Sequence, residues 1–454
     1  MEHHIRSTFL RGMIAASPSK SYTHRAIICA SLANGLSKIT NYLKSTDIDE
    51  TISALKSFGI YIKESNGTLE IDGNENFSAG GLYKLGKDEN EIIINVMTEY
   101  SGSSLRFLIP VSALAKTQRP IAFTRKGRLR ERPIEPLLEA MRKLGVNSEI
   151  RKQGNIELVI IQPGIEGGET EIMGDISSQF ITGLLFACPR AENDTEITVT
   201  TELESKPYVE LTLGVLKDFG IEVKASKDLR KFNIPGNQHY KSREFKVEGD
   251  YSSAAFLLAA GAINGCIEVN GLNINSKQGD KKILNILKRM GAEIEVEEES
   301  IYVKKSELKG IKIDGGDIPD LIPICAVLGC FADGKTIITN AERLRIKESD
   351  RLAAITKELT KMGANISESN DGLIIYGKCN LRGAEINPHN DHRIAMACAI
   401  AGLSAEGETT INNSECVNKS YPSFFEDLRK LVVNRACIID GKGVTKPIPV
   451  YITT

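Results

Sequence analysis

The chain has 454 residues, and its 57 lysines and arginines nearly balance its 59 aspartates and glutamates, leaving a formal net charge of −2. This balance argues against a general nucleic-acid-binding protein, which would be basic overall. The longest apolar run, residues 321–332, is interrupted by Pro323 and Gly329 and is too short to cross a bilayer, so we expect no membrane span.

The nine cysteines are scattered and include no Cys-x-x-Cys pair. Cys325 and Cys330 lie nearest each other, and no histidine stands near them to complete a metal site. The first residues contain no apolar segment of the kind that a signal peptide needs. We therefore expect reduced thiols in a cytoplasmic protein.

Along the chain, one pattern of helix, strand, helix and strand recurs. Each copy begins with a polar or turn-forming cap and an apolar helix, and a short strand follows. The helices begin near residues 19, 101, 177, 251, 318 and 390, and the strands include residues 38–40, 120–123, 196–199, 266–269, 335–338 and 408–411. In the third copy, Ser177 and Ser178 suit an N-cap.

The second helix of each copy has a fixed ending. Segments such as Leu-Lys-Ser-Phe-Gly and Leu-Lys-Asp-Phe-Gly occupy residues 55–59, 141–145, 216–220, 287–291 and 359–363, and a sixth copy at 428–431 lacks the glycine. Successive glycines lie 71 to 86 residues apart, which is too long for a solenoid repeat and indicates a duplicated folding module. Three copies precede Gly249 and three follow it, so the pattern predicts two similar domains of three modules each.

Cations stand at the predicted helix starts, where the helix dipole disfavours them. A single cation there is usually just a solvated side chain, but this placement recurs eight times: Lys20, Arg25, Arg106, Arg132, Lys206, Arg351, Arg393 and Lys419. Arg132 and Lys206 each precede a proline that fits the first helical position, and Ser349 is the expected cap before Arg351. Backbone amides, helix dipoles and cations together bind phosphate or carboxylate, and Ser21, Ser103, Ser177, Ser178 and Ser205 would add hydroxyl donors. The pattern predicts a small substrate with several negative charges.

Carboxylates are scarce in these segments. Asp320 is either an N-cap or a proton acceptor, and Glu348 is either a first-turn glutamate that favours the dipole or a proton donor. His392 is weak evidence alone but gains weight between Asp391 and Arg393. The chain has no Gly-x-x-x-x-Gly-Lys-Ser/Thr loop, no Gly-x-Gly-x-x-Gly after a strand and no Gly-x-Ser-x-Gly, so neither nucleotide motif nor that nucleophile motif is supported.

An ordered series of these segments resembles the 5-enolpyruvylshikimate-3-phosphate (EPSP) synthase family over nearly the whole chain up to about Leu431. The matching segments are residues 18–25, 101–106, 132–134, 177–179, 205–208, 247–253, 278–280, 319–320, 345–351, 390–393 and 419–422. Each segment is moderately specific, and the ordered set is very specific.

The resemblance implies an α/β fold of two similar domains, each of three βαβαββ repeats, the inverse α/β barrel of the enolpyruvyl transferases. It assigns residues 1–18 plus 249–454 to one domain and 19–248 to the other, with the active site in the cleft between them. It also implies transfer of the enolpyruvyl group of phosphoenolpyruvate to the 5-hydroxyl of shikimate 3-phosphate, with release of phosphate through a tetrahedral ketal intermediate. No metal or organic cofactor is needed, and we expect a monomer.

The resemblance further assigns roles to individual residues. Shikimate 3-phosphate would be held by Lys20, Ser21, Arg25, Ser177, Ser178, Gln179, Ser205, Asp320, Arg343 and Lys347. Phosphoenolpyruvate would be held by Lys20, Gly102, Arg132, Gln179, Arg351, Arg393 and Lys419. The expected catalytic residues are Asp320 as base, Glu348 as acid with Lys419 as a rival for part of the proton transfer, and Lys20 and His392.

Two alternatives remain. The related UDP-N-acetylglucosamine enolpyruvyl transferases usually have Lys-Asn where this chain has Lys20-Ser21, and a reactive cysteine in a loop where residues 119–132 contain none. A non-catalytic anion-binding relative would not need Asp320, Glu348 and Lys419 together. Tyr100, Arg343 and the long tail after Leu431 depart from the family pattern.

Overall fold

The computed structural model describes residues 1–77, 83–84, 92–98, 101–432 and 452–453. It separates into two compact units. The split unit contains Met1–Ser17, Gly249–Ser276 and Asp280–Thr454, and the inserted unit contains Pro18–Glu248 with Lys277–Gly279. Tyr100 and most of the tail after Leu431 lie outside the described residues.

The inserted unit has its helices and strands in three successive modules. Its helices are α1 (Lys20–Leu32), α2 (Thr46–Ser57), α3 (Gly102–Ser112), α4 (Glu135–Lys143), α5 (Ser178–Ala187) and α6 (Lys206–Asp218). Its strands are β3 (Ala33–Thr40), β4 (Tyr61–Ser65), β5 (Thr68–Gly73), β6 (Tyr83–Lys84), β7 (Ile92–Met97), β8 (Ile121–Arg125), β9 (Ser148–Gln153), β10 (Ile156–Ile161), β11 (Gly168–Ile172), β12 (Thr195–Val199), β13 (Lys224–Ala225), β14 (Lys231–Ile234), β15 (Tyr240–Lys241) and β16 (Glu244–Lys246).

The split unit repeats this plan with the two ends of the chain. Its helices are α7 (Tyr251–Asn264), α8 (Lys282–Arg289), α9 (Ile322–Phe331), α10 (Arg351–Lys361), α11 (His392–Gly402) and α12 (Phe424–Leu431). Its strands are β1 (His3–Arg6), β2 (Leu10–Ala15), β17 (Gly265–Asn270), β18 (Glu293–Val296), β19 (Ser300–Lys304), β20 (Lys312–Asp314), β21 (Lys335–Thr339), β22 (Asn365–Ser369), β23 (Gly372–Tyr376), β24 (Glu385–Ile386), β25 (Glu408–Ile411) and β26 (Ile452–Thr453). Short 3₁₀ helices cover Gly127–Arg130, Cys188–Arg190, Gly279–Lys281, Glu342–Ile346 and Ser414–Lys419.

One sheet pattern recurs in every module. A central strand pairs in parallel with one neighbour and antiparallel with the other, as β12 does with β11 and β14. The antiparallel neighbour then pairs with a further strand, as β14 does with β13. The third module therefore runs β11–α5–β12–α6–β13–β14, which is the expected βαβαββ order.

Strands from distant parts of the chain complete three modules. In the inserted unit, β15 and β16 both pair in parallel with β3. In the split unit, β2 pairs in parallel with β17, and β1 pairs antiparallel with β25. The first residues of the chain thus belong to the same unit as its last modules.

The first helix of each module lies in the core of its unit. Every residue of α11 is buried, and α5, α7 and α9 are almost entirely buried. The second helices are amphipathic, and the glycines that follow five of them have positive φ, from 81° at Gly59 and Gly220 to 90° at Gly363. Glycine adopts this conformation without the steric penalty of a side chain, so the repeated ending stops each helix as predicted. Among the described residues, no helix is long and apolar enough to span a membrane.

Candidate active site

In the inserted unit, the three core helices begin with serine caps. Ser19 accepts a hydrogen bond from the amide of Tyr22, Ser101 from that of Ser104, and Ser177 from that of Gln179. None of these helices has an acidic residue in its first turn. Their positive dipole ends are therefore not neutralised locally, which suits them to an anion.

Polar side chains connect these helix starts. The Lys20 ammonium lies 2.8 Å from a carboxylate oxygen of Asp47, and both side chains are mostly buried. Arg106 donates to the amide oxygen of Gln179 (2.8 Å), whose amide nitrogen donates to Ser103 (2.9 Å). Gln179 is thus held in one orientation between α3 and α5.

Arg25 is buried and uses its guanidinium inside the inserted unit. It donates to Thr212 (2.8 Å) and to the backbone oxygens of Ser21 (2.9 Å) and Tyr208 (3.0 Å). Burial lowers the pKa of Arg25 to about 10, so it remains a cation at neutral pH. These contacts fix the backbone of Ser21 relative to the first turn of α6.

Ser205 caps α6 in a left-handed conformation, with φ of 55°. A non-glycine residue with this backbone is strained, and such strain clusters at functional positions. Ser178 is the first residue of α5 and is buried beside its cap.

Gly102 and Arg132 lie against each other. A Cβ atom added to Gly102 would come within 2.6 Å of a terminal guanidinium nitrogen of Arg132, so only glycine leaves this space to the arginine. The prediction that the proline after Arg132, Pro133, is the first residue of a helix is wrong. Helix α4 begins at Glu135, and the proline in its first turn is Pro136. Arg132 therefore stands outside that helix.

In the split unit, charged side chains form a second cluster around Asp320. One carboxylate oxygen of Asp320 accepts from Arg351 (2.7 Å) and the other from Arg393 (3.2 Å). Burial alone would raise the pKa of Asp320, but Arg393, Arg351 and Lys347 outweigh it and hold this pKa well below its usual value. Asp320 is not an N-cap, since Leu321 occupies that position of α9.

Asp391 binds several members of this cluster and is fully buried. It accepts from the Nε of Arg351 (2.8 Å), from the hydroxyl of Ser349 (3.0 Å) and, as cap of α11, from the amide of Arg393 (2.9 Å). Ser349 is therefore not the cap of α10 that we expected. Asp350 caps that helix by accepting from Ala353.

Glu348 precedes α10 instead of lying in its first turn, and its side chain is about one quarter exposed. It accepts a hydrogen bond from Arg351 (2.9 Å), so Arg351 contacts both Glu348 and Asp320. Arg343 donates to the backbone oxygen of Gly316 (2.8 Å), in the loop that leads to Asp320.

Lys419 and His392 occupy different settings. Lys419 ends a 3₁₀ helix instead of beginning a helix, which corrects its expected place, and its ammonium donates to the backbone oxygen of Asn390 (2.9 Å). His392 is the first residue of α11 and is buried, with its Nδ1 3.9 Å from Asp391. His392 therefore lies beside Asp391 at the start of α11.

Sequence reasoning gave no role to three carboxylates that organise these clusters. They are Asp47, Asp280 and Asp391. Asp280 is fully buried, accepts from the hydroxyl of Ser252, and has a pKa raised to about 7 by burial and then by the charge of Asp320. The sequence offered a signal for two of these carboxylates. Asp391 stands at a predicted helix start, and Asp280 lies in segment 278–280, one of the segments that resemble the family. Among the described residues, no group of three or more histidine, cysteine, aspartate or glutamate side chains is arranged to hold a metal ion.

Comparison with known proteins gives a consistent result. The family model of EPSP synthase (3-phosphoshikimate 1-carboxyvinyltransferase) matches residues 6–428. Proteins named 3-phosphoshikimate 1-carboxyvinyltransferase are 45% identical in Clostridium kluyveri, over 94% of this chain and 96% of that protein, and 45% identical in Methanocaldococcus jannaschii, over the same shares. An EPSP synthase structure from Acinetobacter baumannii is 26% identical, with a TM-score of 0.77 over 95% of this chain and 98% of that one. The enolpyruvyl transferase NikO from Streptomyces tendae, at 18% identity and a TM-score of 0.75 over 95% of this chain and 97% of that one, shares the fold.

Proposed function

Because the chain belongs to the EPSP synthase family and is a 3-phosphoshikimate 1-carboxyvinyltransferase, we propose that its two charged clusters act on the same pair of substrates. The reaction transfers the enolpyruvyl group of phosphoenolpyruvate to the 5-hydroxyl of shikimate 3-phosphate and releases phosphate. It belongs to the shikimate pathway, which leads to chorismate and the aromatic amino acids. Both substrates carry a phosphate and a carboxylate, the groups that the helix starts and cations would bind.

In the inserted unit, we propose that shikimate 3-phosphate binds at Ser21, Ser177, Ser178 and Ser205, with Lys20 and Gln179 facing both substrates. The capped helix starts support this, because amides and hydroxyls there provide neutral donors for a phosphate. Arg25 would contribute by holding Ser21 and α6 in place. Gly102 and Arg132 would receive phosphoenolpyruvate.

In the split unit, the observation that carries the proposal is Asp320 held between Arg351 and Arg393, with Glu348 on the same Arg351. Phosphoenolpyruvate would bind at Arg351, Arg393 and Lys419, and shikimate 3-phosphate would extend to Asp320, Arg343 and Lys347. An anionic substrate beside the two arginines offsets their positive charge at Asp320. The pKa of Asp320 then rises towards the ordinary value of an aspartate. Substrate binding would thereby turn a firmly ionised carboxylate into a better proton acceptor.

We propose that Asp320 accepts the proton of the 5-hydroxyl while the oxygen of that hydroxyl attacks C2 of phosphoenolpyruvate. Glu348 protonates the methylene carbon of phosphoenolpyruvate. The tetrahedral intermediate then returns a proton from the methyl group to the Glu348 carboxylate, the double bond re-forms, and the bond to phosphate breaks so that phosphate leaves. The surrounding cations, including Lys20 and Lys419, stabilise the charge on the departing phosphate. Proton transfers and charge stabilisation suffice for these steps, so no cofactor enters the proposal.

We also propose that the protein acts in the cytoplasm as a monomer without nucleic-acid or membrane partners. The near-zero net charge and the scattered cysteines support this. Gel filtration with light scattering at micromolar concentration measures the oligomeric state, and a stable dimer there would contradict the monomer.

One assay tests the activity. Phosphate release from phosphoenolpyruvate is measured with shikimate 3-phosphate, with UDP-N-acetylglucosamine and with neither. We expect release with shikimate 3-phosphate alone. Release only with the sugar nucleotide would assign the chain to the related transferase, and no release in any arm would leave a non-catalytic anion-binding protein.

A further inference from the structure

Two cysteines of the split unit, outside the proposed active site, lie side by side. Cys330 is buried near the end of α9, and Cys379 is partly exposed in the turn after β23. The amide of Cys379 donates to the backbone oxygen of Cys330 (2.9 Å), and that of Lys378 to the oxygen of Ala332 (2.9 Å). These two bonds hold the turn against the end of the helix.

The setting of Cys379 favours its thiolate. The side chain of Cys330 lies beside the Cys379 sulfur, and the backbone amide of Asn365 lies 3.5 Å from that sulfur. These donors lower the pKa of Cys379 to about 6, although burial opposes the shift. The pKa of Cys330 is raised well above its usual value, first because this thiol acts as donor and then because it is buried.

The surrounding charges do not account for this preference. Lys378 and Asp333, the charged residues of the adjacent turns, pair with each other at 3.1 Å and are exposed. The sulfur also approaches the backbone oxygen of Tyr376 (3.1 Å), which accepts from the protonated thiol. This carbonyl favours the thiol, so the thiolate depends on the Cys330 thiol and the Asn365 amide. Cys379 is partly exposed, so a reagent can reach it.

We propose that Cys379 and Cys330 form a thiol pair that exchanges with small-molecule disulfides, with Cys379 as the attacking thiol and Cys330 as the resolving thiol. A backbone hydrogen bond between two residues keeps their Cα atoms within the range of about 4.4–6.8 Å that a disulfide requires. Formation of the bond then requires both side chains to rotate so that the two sulfurs meet.

The exchange proceeds in two steps. The Cys379 thiolate attacks one sulfur of glutathione disulfide, so that a mixed disulfide forms and one glutathione thiolate leaves. Cys330 then loses its proton to solvent and attacks the Cys379 sulfur, which expels the second glutathione. Two electrons pass from the protein thiols to glutathione disulfide, and two glutathione thiols are released.

The product would link α9 covalently to the turn after β23. Because α9 begins two residues after Asp320, the link ties the helix that follows the catalytic carboxylate to the neighbouring hairpin. Oxidation would thus act on a core helix without removing any residue of the proposed active site.

The test uses the full chain with Cys437→Ser, since Cys437 lies outside the described residues. The protein is exposed to glutathione disulfide at pH 7, quenched with acid, and its thiols are mapped by peptide mass spectrometry. Cys266, which is also partly exposed but contacts the hydroxyl of Tyr302 (2.8 Å), serves as the internal reference. We expect Cys379 to react about ten-fold faster or more and to end in a disulfide with Cys330.

Two variants separate the steps. Cys330→Ser, or Cys330→Ala if serine destabilises the buried site, should accumulate the mixed disulfide on Cys379. Cys379→Ser should leave Cys330 unreacted. Equal rates at Cys379 and Cys266, or a mixed disulfide that persists when Cys330 is present, would overturn the thiol pair.

Discussion

At the scale of single residues, Arg351 carries the second cluster. Its guanidinium contacts Asp320, Glu348 and Asp391, and its side chain is 1% exposed. Burying an arginine is unfavourable unless it is paired, and three carboxylates more than compensate its charge. The two negative charges in excess are balanced by Arg393 and Lys347, which act on Asp320.

Glu348 allows the proposed acid to be tested alone. We predict that Glu348→Gln reduces kcat about 10²-fold or more, because glutamine keeps a hydrogen-bond acceptor for Arg351 but cannot deliver a proton. Steady-state kinetics give kcat, and calorimetry gives the Kd for shikimate 3-phosphate, which should change little. Glu342→Gln, at an exposed glutamate of the preceding 3₁₀ helix, is the matched control. Equal loss of binding and turnover would make Glu348 a binding or structural group.

At the scale of helices and strands, the sequence predicted existence and order better than exact caps. The apolar first helices, their strands and the glycine-terminated second helices all form, because each has a local signal. Caps failed where neighbours decide the outcome. Ser349 turns to Asp391, a contact that local sequence cannot show, and Asp350 then caps α10. Pro133 and Pro136 lie within one turn, and only the structure shows that Pro136 is the helical one.

Two aspartate caps separate capping from charge compensation. Asp350 and Asp391 both cap helices, but Asp350 is about one-third exposed and Asp391 is fully buried beside Arg351. We predict that Asp350→Ala costs about 1 kcal/mol, as for an ordinary cap. Asp391→Ala should cost about 3–5 kcal/mol, because it leaves Arg351 buried with one partner fewer. Urea unfolding at pH 7 measures both, and similar costs would mean that Asp391 is only a cap.

His24 in α1 makes the stability of the folded chain depend on pH. It is fully buried beside Thr51 (2.9 Å), and burial, followed by Lys20 and Arg25, holds its pKa well below 6.5. As pH falls below about 6.5, the unfolded chain binds a proton that the folded chain refuses, so stability falls. We predict that wild type loses stability relative to His24→Gln by up to about 1.4 kcal/mol per pH unit below that value.

Unfolding midpoints of the two proteins between pH 7.5 and 5 provide the measurement. Asp280 acts in the opposite direction, because a pKa raised to about 7 lets the folded state bind the extra proton. This carboxyl is unchanged in the variant, so its effect cancels in the comparison. A difference between the proteins that does not vary with pH would show that His24 titrates normally.

At the scale of the whole chain, the six modules were predictable from repeated residues. The long-range strand pairings that complete some of these modules were not. β1 pairs with β25 about 400 residues away, and β16 pairs with β3 from the far end of the inserted unit. A four-residue strand such as His3–Arg6 has no local pattern that selects its partner. Family resemblance, and not residue pattern, placed the N-terminal strand. The two clusters are likewise distant in sequence, and we propose from the chemistry of the reaction that they act on the same substrates.

Phosphoenolpyruvate offers a test of whether both units serve one substrate. We predict that Arg132→Ala in the inserted unit and Lys419→Ala in the split unit each raise the KM for phosphoenolpyruvate about ten-fold or more. Each removes one cation that the proposal places at its phosphate or carboxylate. The KM for shikimate 3-phosphate should rise much less. Lys143→Ala and Lys430→Ala, which remove exposed cations paired with Glu171 (3.1 Å) and Asp427 (2.7 Å), are the controls.

The double variant Arg132→Ala/Lys419→Ala completes the comparison. If both cations hold the same phosphoenolpyruvate molecule, the two losses are coupled, and the double variant departs from the product of the single effects. Independent sites would instead multiply. If either single variant raises only the KM for shikimate 3-phosphate, that residue does not bind phosphoenolpyruvate. The proposal that both units bind phosphoenolpyruvate would then be wrong.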